Sequence, residues 1–572
     1  MPGDAPNINN KAVQQNTFDA IVVGSGISGG WAAKELCEKG LKTLVLERGR
    51  NVEHIKDYTG ATKDPWELKH RGDTTWEDRQ NSPVQSRIYA YDEVSKHFFV
   101  NDKENPYTQV KPFPWIRGYH VGGRSLTWGR QCFRLGELDF EAPKDGIGVE
   151  WPVTYKEIAP WYGYVESFAG ISGSKDGIPH LPDGNFLPPM DFNCVEKDMV
   201  QKVKKIYGNE RRLIIGRVAN LTRQLDGRGP CQYRSKCHQG CPFGGYFSSN
   251  AATIPAARRT GNLTLRPNAI VMEVLYDKEK KRATGVRIMD AETMLTEEYY
   301  AKIIFLNAST INTAALLLNS VSDAFPQGMG NSSGQIGHNL MTHHLGVTAS
   351  GRVEGYEDKY IYGRRANMTY VPRFRNIGPS SKRTDYTRGF AFQTYIGRGG
   401  WGSVPGEASI GAEFKERLTE PGGWSMTLDP FAEMLPYYRN HISINKEVKD
   451  KWGMATVNID CELGDNEMAM RKDMLESGKE MLEALGVKNV SARDSGSRTG
   501  RGRVYSVHEM GTVRMGKDPK TSPLNGNNQL HEVSNVFVTD GSFMTTSACQ
   551  NPSLTYMAFT ARACDFAVKT FK

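Results

Sequence analysis

The hydrophobic pattern begins with FDAIVVGSGISGGWAAKELCEKGLKTLVLERG, residues 18–49: an unbroken apolar quartet Ala20–Val23, a glycine turn, a helix-like stretch and a second strand-like run that ends at Glu47. Strand, turn, helix, strand in that order predicts the opening of an α/β dinucleotide fold, starting near Phe18 after a polar leader of about fifteen residues. Strand-like alternation returns in LTLRPNAIVMEVLY, ATGVRIM and AKIIFLNAS between Leu263 and Ser309, followed by the helix TINTAALLLNS. GVTASGRV, GFAFQTYIG and HISINKEV, between Leu345 and Asp494, again read as strands separated by turns. NVFVTDGSF and the helix-like PSLTYMAFTARACDFAVKTF close the chain.

These patterns give a nucleotide domain in three pieces, 16–170, 263–344 and 495–572, a cap segment 171–262 that carries a cysteine cluster, and a largely β substrate domain over 345–494. Residues 51–114 lack clear periodicity and are predicted to run as a long excursion over the surface.

Composition narrows the function classes. The 572 residues, 38% hydrophobic and 24% charged, suffice for two or more cores. The net charge of +8 comes from 72 basic and 64 acidic residues without a long like-charge block, which argues against a polynucleotide partner. No run approaches the roughly 20 apolar residues that span a bilayer, so the chain is expected to be soluble. The start, MPGDAPNINNKAVQQ, has no basic n-region, apolar h-region or twin arginine, so export would depend on another chain. Nine cysteines are too few for a disulfide scaffold, yet Cys231, Cys237 and Cys241 share one short stretch.

Gly24, Gly26 and Gly29 form G-x-G-x-x-G between a strand and a helix, where glycines permit a tight turn, close approach to a pyrophosphate and close helix packing. Glu47, 23 residues after Gly24, can accept hydrogen bonds from ribose hydroxyls and disfavours a 2′-phosphate. This motif alone does not separate NAD from FAD.

Four blocks together resemble the glucose-methanol-choline (GMC) family of FAD oxidoreductases: the fingerprint above, Val121–Trp128 (VGGRSLTW), Leu265–Val271, and the C-terminal segments around His508 and Asn551. The resemblance implies an α/β fold with a Rossmann-like FAD-binding domain of GMC type and a second domain of largely antiparallel sheet plus helices. It places Gly122 and Gly123 beside the flavin ring with Ser125 and Thr127, Val271 near the adenine, and Asp540 and Gly541 at the cofactor. Some family members attach FAD through a histidine at the position of Thr127, so FAD is expected to be noncovalent here. The match puts His508 at the family's catalytic histidine and Asn551, 43 residues later, at its His-or-Asn partner. An imidazole can take the alcohol proton, and a neutral amide can donate to the substrate oxygen. His343 and His344 are read as packing or hydrogen-bonding residues. Gln393 and Tyr395 alternate along a strand and could face a substrate cavity or a plain sheet surface.

The cysteines follow C-x5-C-x3-C before Pro242, a set that could hold an iron–sulfur cluster, be structural, or bind zinc with His238 as the nearby fourth ligand. The segment resembles the loop that binds a three-iron four-sulfur cluster in large subunits of bacterial membrane-linked sugar dehydrogenases, and CPFGGYFSSNAATIPAA is similar to glucoside 3-dehydrogenases. That resemblance implies oxidation of glucose or a glycoside at carbon 3, electrons leaving through the cluster to a cytochrome c, and a small subunit that bears the export signal. Location would be periplasmic by co-export, or else cytoplasmic, with only an indirect link to a membrane. Oxidation of glucose at carbon 1, of gluconate or fructose, or by an oxygen-using pyranose oxidase stays open, as does a catalytically silent flavin electron-transfer subunit.

Overall fold

The computed structural model describes residues 16–361, 363, 365, 366, 368–399, 410–496 and 507–572. The leader on which the export reading rests lies outside the described residues.

The nucleotide domain is built on a seven-stranded sheet. Its centre is β1 (Thr17–Val23), followed by helix α1 (Ile27–Glu38) and β2 (Thr43–Leu46); β3 (Leu263–Arg266), β4 (Ala269–Asp277), β5 (Arg282–Asp290) and β6 (Thr296–Leu306) complete the order β3-β2-β1-β6-β5-β4. β1 pairs in parallel with β2 and β6, while β4, β5 and β6 run antiparallel in sequence. Ala20–Val23 and Thr43–Leu46 are buried on both faces, which explains their unbroken apolar runs. Gly24 has φ +93°, and a Cβ there would overlap the Asn307 carbonyl oxygen, so only glycine makes this turn.

Strand Val536–Val538 adds to β6 in parallel, and the last helix, Ser553–Phe571, packs on α1. Ala32, Ala33, Leu36 and Cys37 of α1 meet Ala563, Cys564 and Ala567 in one buried cluster, and these small residues let the helices approach closely. The C-terminal blocks are thereby carried back to the fingerprint turn.

The second sheet is six-stranded and antiparallel, in the order Lys488–Asp494, β7 (Val347–Val353), β10 (Trp424–Ala432), β9 (Phe390–Arg398), β8 (Thr369–Val371), Ile214–Ile215. Phe390, Phe392 and Ile396 pack with Met474 and Met481 of helix Asp465–Ala484, so the alternate residues Gln393 and Tyr395 point to the opposite face. Two pieces of this layer come from outside 345–494: Ile214–Ile215, and helix Cys194–Tyr207, whose Val195, Met199 and Val203 enter the same core. Conversely, the hairpin His441–Lys449 and Ala455–Asp460 leaves it and pairs with Thr108–Gln109 in a separate three-stranded sheet. A two-residue strand has no readable period, and a hairpin's partner is set by long-range pairing, which is why neither feature is visible in the local pattern.

Among the described residues no helix is long and apolar enough to cross a membrane.

Candidate active site

One cavity of about 420 Å³ lies between the two sheets, running from Gly24, Gly26 and Glu47 to Gln393, Phe431, His508 and Asn551. At its nucleotide end, Ile27 and Ser28 bring the N-terminus of α1 to the wall, and exposed helix N–H groups there favour phosphate. Gly29 sits behind the wall, where a side chain would overlap the Gly24 carbonyl.

Glu47 is buried and lines the cavity; its Oε2 accepts from Ser25 N at 3.1 Å and Ser25 Oγ at 2.6 Å, and its Oε1 from Gly49 N at 3.0 Å. Burial pushes its carboxyl above the ordinary range, and these hydrogen bonds oppose the shift. Ser25 Oγ also accepts from Gly122 N at 2.9 Å, which ties the fingerprint turn to the double-glycine segment. Gly122 has φ +91°, and a Cβ there would overlap Asn250 Oδ1. Ser125 Oγ donates to Gly122 O at 2.6 Å and accepts from Ser249 N at 3.0 Å, so it pins this turn, while Gly123 and Thr127 line the cavity.

Val271, Asp540 and Gly541 also line the cavity. Asp540 accepts from Ser542 N at 3.0 Å and Thr313 Oγ1 at 2.5 Å, anchoring the C-terminal block to the helix Thr310–Asn319. Asn307 lines the cavity, and its Nδ2 is buried without a protein partner. A glycine turn, a helix N-terminus, a buried acid and an orphaned amide donor along one cavity fit a dinucleotide such as FAD.

The other end holds the acid–base groups. Met341 and Met510 exchange backbone hydrogen bonds of 2.9 Å, and two residues along this antiparallel register His343 stands across from His508. The Nδ1 atoms of the two rings are 2.9 Å apart, and His343 Nε2 lies 3.2 Å from Ser547 O. A carbonyl only accepts, so His343 carries its proton on Nε2; with both rings neutral, its bare Nδ1 accepts from His508 Nδ1–H. His508 Nε2 is then the basic atom of a ring that lines the cavity. Burial holds both imidazoles below the usual value of 6.5, His343 at about 4; for His508 the His343 ring and the Arg124 guanidinium add to the effect. Arg124 grips Glu509 with two hydrogen bonds, 3.2 and 2.5 Å, and so fixes the residue after His508.

Asn551 is held as closely. Its Oδ1 accepts from Gln393 Nε2 at 2.9 Å, which turns its Nδ2 donors away from that contact. The neighbouring Gln550 donates to the buried Asp139 at 2.8 Å. Gln393 and Tyr395 both line the cavity, Gln393 buried and Tyr395 partly exposed. His344, beside His343, is fully buried outside the cavity wall, with burial pushing its pKa well down.

The roles of His343, Arg124 and Glu509 escape local reading, because each depends on a contact between segments at least 165 residues apart. The adjacent histidines of GHNLMTHH were the one available signal.

Cys231, Cys237 and Cys241 are free and half-buried, and they lie near enough to influence one another's charge. Burial pushes the Cys231 and Cys241 thiols up, while Gly245 N–H donates to Cys241 Sγ at 3.3 Å, a contact that favours thiolate. Among the described residues, however, no three His, Cys, Asp or Glu side chains stand close enough to hold a metal ion. His238 instead pairs with Asp92, Nε2 to Oδ2 at 2.8 Å. Arg130, whose guanidinium lies over the Tyr246 ring, lines the cavity and stands near enough to Cys237 and Cys231 to feel their charge, while none of the three cysteines is part of the cavity wall.

Residues 18–345 and 436–560 match the N- and C-terminal sequence profiles of the GMC oxidoreductases. The chain is similar to 2-methyl-1,2-propanediol dehydrogenase of Mycolicibacterium austroafricanum, 28% identical over 97% of this chain and 95% of that protein. It is also similar to the fructose dehydrogenase large subunit of Gluconobacter japonicus, 24% identical over 97% and 98%. Pyridoxine 4-oxidase from Mesorbium loti has the same fold, with a TM-score of 0.56 and 16% identity over 96% of this chain and 98% of its own.

Proposed function

The chain belongs to the GMC oxidoreductase family, FAD-dependent enzymes that act on CH–OH groups, and on that premise we propose that it is a sugar dehydrogenase oxidising a secondary hydroxyl of glucose or a glycoside, at carbon 3, to a 3-keto sugar. The observation that carries the alcohol-oxidising part of the reading is the paired corner: His343 leaves His508 with one basic nitrogen, Gln393 leaves Asn551 with its donors, and both residues line one cavity; carbon 3 rests on the resemblance of residues 241–257 to glucoside 3-dehydrogenases.

Gly24, Gly26, the N-terminus of α1, Glu47, Asn307, Val271, Asp540 and Gly541 would hold noncovalent FAD, with Gly123 and Thr127 along the same wall. Bound FAD supplies the hydride acceptor, flavin N5. His508 Nε2 takes the hydroxyl proton as the carbinol hydrogen leaves with its electron pair. Asn551 Nδ2 donates to the substrate oxygen and steadies the negative charge that builds there. Holding His508 well below 6.5 keeps it neutral, and so competent as a base, at and above that pH.

The finer reading includes a three-iron four-sulfur cluster on Cys231, Cys237 and Cys241, a cytochrome c acceptor, and a small subunit that carries this chain to the periplasm. The C-x5-C-x3-C spacing, the N–H···S contact at Cys241 and similarity to a protein named as a large subunit support it. The thiol positions do not yet form a metal-holding group, so the loop would have to close around iron. Iron and sulfide analysis of protein purified without air tests the cluster.

NMR of the product from methyl glucoside tests the regiochemistry. A new carbonyl at carbon 3 supports the reading; one at carbon 1 replaces it with a lactone-forming dehydrogenase.

A further inference from the structure

Gln131 is 2% exposed and lines the cavity, yet neither its Oε1 nor its Nε2 has a hydrogen-bond partner in the protein. Its backbone is fixed: residues 130–132 pair antiparallel with 217–219, through Ala219 N to Arg130 O and Cys132 N to Arg217 O, both 2.9 Å. A buried amide with four unused hydrogen-bonding positions is costly unless something else fills them.

Its place in the fold says what that is. The Gln131 amide lies over Gly216, where a Cβ would come within 3.1 Å of Oε1, and Gly216 N bonds Met368 O at 2.9 Å. Thr369 stands opposite Thr394, so in the same register Met368 stands opposite Tyr395. Gly216, Met368 and Tyr395 thus form one row across the second sheet, and Gln131 caps the end of it. Met368, Tyr395 and Gln393 are all cavity wall, which sets Gln131 on the side of the cavity shared with Gln393 and Asn551.

Arg130 supplies a second observation. It has φ +63°, a conformation uncommon for a residue with a side chain, and its Nη1 donates to Trp128 O at 2.6 Å. Such a conformation persists only where the surrounding structure holds it in place, and residues of this kind cluster at ligand-binding and active sites.

We propose that Gln131 reads the substrate, its amide oxygen accepting from one hydroxyl and its amide N–H donating to the adjacent oxygen of a vicinal diol remote from the reacting carbon. The inference rests on the CH–OH oxidoreductase reading and deepens it by naming the residue that selects polyhydroxylated rings over alkyl alcohols. A hydroxyl-free ring would leave the Gln131 amide buried and unpaired, and that mismatch is the source of discrimination.

The test uses holoenzyme carrying Gln131→Leu, an apolar change of similar volume. Binding of methyl glucoside is measured by calorimetry on dithionite-reduced enzyme, which cannot turn over, and anaerobic flavin reduction is compared between methyl glucoside and cyclohexanol. Gln131→Leu should weaken methyl glucoside binding and lower its kcat/KM roughly ten- to a hundredfold, and change cyclohexanol less than about threefold. An unchanged binding constant, equal losses for both substrates, or no methyl glucoside binding to the unsubstituted enzyme overturns the assignment. Gln131-dependent binding without flavin reduction by any alcohol would instead overturn the oxidoreductase reading and leave Gln131 as a polyol-binding residue. Should Gln131→Leu lose its flavin, Gln131→Asn, which keeps the amide but withdraws it by one carbon, carries the same comparison.

Discussion

The corner around His508 and the cysteine loop are both marked by residue spacing, but they are built differently. At the corner, each functional side chain is already held: His508 by His343, His343 by Ser547, Asn551 by Gln393. In the loop, one sulfur accepts an N–H while the thiols stay short of a metal-holding arrangement. An acid–base site must be in place before the substrate arrives, because any reorganisation adds to the barrier. If the proposed cluster forms on the loop, the metal itself completes the site, because its binding energy orders the ligands.

Breaking the corner should cost most at the base. His508→Ala is expected to slow anaerobic flavin reduction about a hundred- to ten-thousandfold with flavin content unchanged, measured by stopped-flow absorbance. Asn551→Ala should follow at roughly a hundred- to a thousandfold, chiefly in kcat, since its donors act where charge develops. Gln393→Leu frees the Asn551 amide to rotate and should cost about tenfold, with the same rate order across substrates.

His343→Leu separates tautomer control from simple packing through its pH profile. The reaction needs neutral His508, so the rate falls as pH drops through the His508 pKa, which lies well below 6.5. Leucine removes one of the neighbours that depress that pKa, so the acid limb should move up toward 6.5, with a loss of roughly tenfold in the plateau rate. A lower plateau with an unmoved limb would reduce His343 to packing. The smallest change is expected from Cys237→Ser: iron content should fall while the rate of flavin reduction by substrate stays within about twofold, because none of the three cysteines lines the cavity. Unchanged iron, or none in the unsubstituted protein, would make the loop a purely structural element.

Elements set by local pattern were readable in the sequence. The strand–turn–helix–strand of residues 18–49 follows from apolar runs and glycines, and the period of two along Phe390–Arg398 puts Gln393 and Tyr395 on one face whatever the sheet's partners are. Contacts set by register between distant segments were not. Met341 meets Met510 across the chain, and only that pairing turns a histidine doublet into the support for His508. Gln131 was invisible for a related reason: its significance is the absence of a partner, and nothing in Gly129–Gln131 announces which side chain will be buried without one.

Anaerobic mixing of the FAD-loaded enzyme with methyl glucoside tests the assignment of His508 and Asn551 most directly. Bleaching of the flavin band in the unsubstituted enzyme, with its rate lost in His508→Ala at equal flavin content, is the expected result. No bleaching with any sugar or diol, or bleaching at the same rate in His508→Ala, would contradict it.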